Sequence, residues 1–88
     1  MDEDQHYTHR RRLDRLLEQI QRQFTGQYRL DLLKMYKTIE NQYTEMDREF
    51  VNCRRKMRLS SDYEYKEEQF NHLFKSMEKR ITLALLSQ

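Results

Sequence analysis

The chain of 88 residues has no proline and a single glycine. Sandwiches and barrels need many turns, and those two residues write turns, so an all-β fold is excluded. A single cysteine, Cys53, has no second thiol with which to form an internal disulfide. The simpler setting is a reducing compartment, and an intracellular, cytoplasmic location is expected from it. No run of about 18 apolar residues is present, so no membrane span is expected. The opening Met1-Asp2-Glu3-Asp4 is acidic where a signal peptide would be basic. Also missing are a Gly-rich phosphate loop, H-E-x-x-H, C-x-x-C and a nucleophile elbow. The expectation is therefore not an enzyme, with no catalytic residue, no cofactor and no metal.

What the chain does have is charge in a helical pattern. Charged and hydrophobic residues each make up 36%, and the mean hydropathy is −1.18. Such a composition belongs to long helices and coiled coils. The net charge is only +2 and is spread evenly along the chain, too little to demand a polyanionic partner. The fold class expected is all-α, with residues 1–88 as one helical domain.

Three apolar stripes give the helices. Leu13, Leu16, Leu17, Ile20 and Phe24 recur at spacings of three and four, which predicts a helix over about 9–24. Residues 1–8 are polar and are expected to fray. Gly26 follows, and it either stops this helix in the left-handed conformation or is crossed by it. Leu32, Tyr36, Ile39, Tyr43, Met46, Phe50, Cys53 and Met57 then keep an unbroken heptad rhythm, predicting a helix over about 28–58. Ser61 and Glu64 form an S-x-x-E capping box. Acidic Asp62, Glu64, Glu67 and Glu68 come just after it, and basic Arg54, Arg55, Lys56 and Arg58 just before. Both charge biases favour a helix boundary there. The third stripe, Tyr63, Phe70, Phe74, Met77, Ile81 and Ala84, predicts a helix over about 62–86, with Glu67 in its one apolar gap.

Folding the second and third stripes about Ser60 gives an antiparallel, coiled-coil-like hairpin. That register sets Phe50 against Phe70, Cys53 against Glu67 and Tyr43 against Met77. Leu33, Met35, Leu73, Leu85 and Leu86 widen the apolar face at the end away from the turn. The shorter first helix is expected to pack at this open end, giving three helices there and two at the turn.

Few residues suggest chemistry. Cys53 fits the seam as a small hydrophobe. His6 and His9 lie three apart but in the fraying segment, where ordinary surface histidines are expected rather than metal ligands. His72 belongs to no motif. Glu67 is either a register device or a side chain whose head reaches water near the turn, and the second is preferred. Tyr28 and Tyr65 lie off the seam. They either pack on the first helix or belong to a partner surface.

The most informative feature is the segment from Ile81 to Leu86, apolar on more faces than a two-helix hairpin covers. It suggests a non-enzymatic protein–protein interaction module: a small adaptor, an assembly chaperone or a regulator. Leu30, Leu33, Met35, Leu83, Leu85 and Leu86 are the candidate anchors for an unidentified protein partner. Self-association as at least a dimer is expected through the Leu83–Leu86 end. The contrary case is a monomer capped by its own first helix. The alternative function is a basic regulator of DNA or RNA, through Arg10, Arg11, Arg12, Arg48, Arg55 and Arg58.

Overall fold

Helix α1 spans Glu3–Gln23, α2 spans Gly26–Lys56 and α3 spans Ser61–Leu86. These come from a computed structural model that describes residues 3–56 and 61–87. The chain is all-α: α2 and α3 form an antiparallel hairpin, and α1 lies along it. The heptad stripe explains α2. Its seam residues Leu32, Tyr36, Ile39, Tyr43, Met46, Phe50 and Cys53 are all buried. Tyr63, Phe70, Phe74, Met77 and Ile81 of α3 meet them in one core. Met57, which ends the α2 stripe, lies outside the described residues. At 1.5 Å per residue α2 is about 46 Å long, and the molecule's longest dimension is 48 Å.

Helix α1 starts earlier and reaches further than its apolar residues imply. It begins at Glu3, not near residue 9. In place of the fraying expected for residues 1–8, the chain is helical from Glu3 onward, with His6 buried; residues 1 and 2 lie outside the described residues. His6 meets Asp47 and Phe50 of α2 and Tyr63 of α3, all close to the hairpin turn. Glu3 pairs with Arg54 at 3.1 Å. Contacts from α1 to α2 run in opposite senses, Glu3 to Arg54 and Arg10 to Tyr43. Those from α1 to α3 run in the same sense, His6 to Tyr63 and Arg12 to Asn71. The molecule is therefore a three-helix, up-down-up arrangement along its whole length, and the turn end carries three helices as the open end does. The physical reason is that His6 and His9 continue the apolar stripe: positions 6, 9, 13, 16, 20 and 24 keep helical spacing. Polar by composition, both are buried.

The hairpin register is also one heptad tighter than expected. Phe50 faces Tyr63, with ring centroids 6.2 Å apart, and Tyr43 faces Phe70 at 6.1 Å. Registers one heptad apart are equally apolar, so the stripe does not choose between them. Charge does. The tighter register puts Lys66 between Glu49, at 3.4 Å, and Glu45, at 3.7 Å. It also lets the Gln42 amide donate to the Lys66 carbonyl at 3.2 Å. The looser register would have set Lys66 beside Lys56.

The chain breaks between α1 and α2, which resolves the alternatives at Gly26. Gly26 has φ of +64°, in the left-handed region that side chains disfavour. Phe24 and Thr25 are the only residues between the two helices.

Candidate functional site

Two features are distinct from ordinary core. The first is a polar network where α1 crosses the turn end of the hairpin. His6 is 0% exposed, and its ring stacks on Phe50 at 4.1 Å and on Tyr43 at 5.4 Å. Both ring nitrogens are satisfied. Nε2 lies 2.9 Å from Asp47 Oδ1, and Nδ1 lies 2.9 Å from the Tyr63 hydroxyl. The carboxylate is acceptor-only, so Nε2–H donates to it. The Tyr63 hydroxyl has one proton and two acceptors in reach, His6 Nδ1 and, at 3.5 Å, Glu67 Oε2.

The network continues through Glu67. His9 Nε2–H donates to Glu67 Oε2 at 2.9 Å. Arg12 Nη1 donates to His9 Nδ1 and to Asn71 Oδ1, each at 3.2 Å. A guanidinium has no acceptor, so in this contact it is His9 Nδ1 that accepts. The Arg12 guanidinium lies 4.2 Å from the Phe74 ring centroid, a cation–π contact. The reading of Glu67 as a seam residue with its head in water gives way to this finding: its carboxylate accepts from two other helix positions and is mostly covered. Likewise His6 and His9 are not surface histidines. Among the described residues no buried side-chain nitrogen or oxygen lacks a partner, and no group of three or more metal-type ligands occurs.

This arrangement is suited to holding helices, since its buried polar groups are all satisfied; at its edge Glu67 and Asn71 line a hollow along α3. Satisfied polar groups at a helix interface fix register. Burial raises the phenol of Tyr63 well above the ordinary tyrosine range, and the Glu67 carboxylate adds to the effect. Burial likewise raises Tyr43, with Asp47 adding to it, and Tyr36, with Glu40 adding to it. For a group whose folded pKa lies above its unfolded value, stability is fully present below the unfolded value, about 10, and is lost as pH rises beyond it. Alkaline titration is therefore expected to unfold the helices above about pH 10. Part of the tyrosinate absorbance should develop only as the helical circular dichroism is lost. Smooth ionisation of every tyrosine with the helices intact would contradict the burial.

The second feature is the open end. Of the six candidate anchors, Leu30 is 52% exposed, Leu83 56% and Leu86 77%. Leu33, Met35 and Leu85 instead pack partly against the core. Three of the six side chains are thus fully presented to solvent. Tyr28, exposed and packed against Phe24, joins them. Tyr28, Arg80, Leu83, Ala84 and Ser87 line a shallow groove of about 440 Å³ between the start of α2 and the end of α3. Leu30 does not line it. A larger hollow of about 770 Å³ runs along α3 past Glu64, Glu68, His72 and Lys75. Its walls, Tyr65 and Leu73 among them, come from one helix alone, so no groove between helices is formed there.

The arginines of the nucleic-acid reading are dispersed. Arg10 pairs with Asp14 at 3.4 Å and Arg48 with Glu45 at 3.0 Å. Arg12 is committed to His9, Asn71 and Phe74. Arg11 and Arg55 are exposed, and Arg58 lies outside the described residues. Cys53 is buried in the seam, as expected. Among the described residues no helix is long and apolar enough to cross a membrane.

Compared with protein-family models, with curated proteins and with solved structures, the chain matches none.

Proposed function

We propose that the protein is a non-enzymatic helical interaction module that binds a partner protein through its open end. The observation that carries this reading is the apolar groove between Tyr28 and Leu83, extended by Leu86. The rest of the core is covered: α1 closes the turn end, where a two-helix hairpin would have been open. Apolar side chains left outside a covered core mark sites of association. The occupant that fits is an amphipathic helix laying apolar residues at helical spacing between α2 and α3. Arg80, at the groove's edge, suits an acidic residue beside those anchors. Adaptor, assembly chaperone and regulator are all roles such a module performs.

Changing Leu83 and Leu86 to serine tests this. Both side chains are exposed, so the fold should be unaffected, within about 0.5 kcal/mol. Recovery of the partner from native cells should fall at least about tenfold, as expected for two lost anchors. Undiminished recovery by a fully helical variant would place the binding surface elsewhere. The nucleic-acid alternative gains no observation of its own. It would require duplex or single-strand retardation at low salt that weakens steeply as salt is added.

A further inference from the structure

We infer that the face of the α2–α3 hairpin covered by α1 also accepts α1 from a second copy of this chain, through straightening of the chain at Gly26 into one continuous α1–α2 helix. The junction is built for it. Only Phe24 and Thr25 lie between the helices. The Phe24 amide still donates to the Ile20 carbonyl at 3.2 Å, and the Arg29 amide to the Thr25 carbonyl at 3.4 Å. Helical bonding therefore reaches the bend from both sides, and no proline stands in the way. Leu17, Ile20, Phe24, Tyr28 and Leu32 keep spacings of three and four across the bend, so a straight helix would present one unbroken apolar stripe.

Straightening lifts Leu13, Leu16, Ile20 and Phe24 off their own hairpin, and apolar surface of that extent needs another cover. A second copy supplies an identical vacated face. Every contact α1 now makes is then rebuilt between copies, and the two states differ only at the hinge and in concentration. The occupant is α1 itself and not a foreign helix because the receiving face is polar at set points. Asp47, Glu67 and Asn71 take donors from His6, His9 and Arg12. A simple apolar helix would leave those groups unmatched. A connection of two residues favours such exchange, since it gives little slack for the bend.

Gly26→Ala is the decisive variant. A Cβ there meets nothing within 4 Å, so any effect is conformational and the fold survives. Alanine disfavours the left-handed bend and favours the helix. Each hinge should shift by at least about tenfold, and a dimer has two, so the association constant should rise about 100-fold or more. Sedimentation is run on the Leu83→Ser/Leu86→Ser background, which removes end-to-end association. The expected result is a dimer for Gly26→Ala and a monomer for a chain with two glycines inserted after Thr25. In a dimer of mixed isotope labelling, the His6 ring should show nuclear Overhauser contacts to Phe50 of the other copy. A Gly26→Ala chain that stays monomeric across a hundredfold concentration range would overturn the inference. So would a dimer whose His6–Phe50 contacts all lie within one copy.

Discussion

Replacing Phe70 by alanine is expected to lower stability by about 3–5 kcal/mol, the range for deleting a fully buried aromatic ring. Phe70 is 0% exposed. Its ring lies against Tyr43 of α2, Phe74 of α3 and His9 of α1. It is thus one of the few side chains that touch all three helices, and no neighbour can fill the gap without abandoning its own contacts. For a chain of this size each kcal/mol moves the melting temperature by roughly 4–8 °C, so a fall of about 12 °C or more should be seen. The register gives the experiment a second, sharper outcome. Tyr43 and Phe70 should be coupled in a double-mutant cycle by about 0.5 kcal/mol or more. Phe50 and Phe70, one heptad out of register, should be additive. The reverse result would restore the looser hairpin.

His6→Ala is the second large loss, about 2–4 kcal/mol, and its pattern differs from that of Phe70. The imidazole stacks on Phe50 and joins Asp47 of α2 to Tyr63 of α3. Removing it opens a void and withdraws one partner from each group. Asp47 is partly exposed and turns to water, while the Tyr63 hydroxyl keeps Glu67 as an acceptor. Lost packing is therefore the larger part of the effect. His6→Phe should recover most of the stability by keeping the stack. Amide exchange separates the loss from a global one. Residues 3–12 should exchange near the rate of an unfolded chain in His6→Ala, while α2 and α3 remain the slower segments. Equal loss of protection over all three helices would mean that α1 is not docked as a separate piece.

The two stripes of the hairpin were legible because every seam position except Glu67 is apolar and the heptad spacing is kept throughout. The boundary between α2 and α3 was legible from the basic residues before it and the capping box and acidic residues after it. What failed did so for definite reasons. His6 and His9 sit at stripe positions, but periodicity counted on apolar residues ends at Leu13, so the first two turns of α1 read as a tail. The register failed because a heptad pattern repeats, and only the placing of Lys66 between Glu45 and Glu49 breaks the tie. Glu67 read as an intruder tolerated near water because its partners, His9 and Tyr63, come from distant parts of the chain. At the open end, the sequence does not show how its apolar residues divide between core and surface. Leu33, Met35 and Leu85 serve the core, while Leu30, Leu83 and Leu86 face outward. That division depends on tertiary packing, which no local pattern encodes.

The account rests on α1 being seated along the full hairpin, since this carries α1 over the turn end while Tyr28, Leu30, Leu83 and Leu86 stay exposed at the open end. Nuclear Overhauser contacts from the His6 imidazole test it most directly. With the His6 and Phe50 ring centroids 4.1 Å apart and the planes within 8° of parallel, strong cross-peaks to the Phe50 ring and an upfield shift of the imidazole protons are expected, with helical chemical shifts from Glu3 onward. Random-coil shifts over residues 3–9, with no contact from His6 to Phe50 or Tyr63, would contradict it.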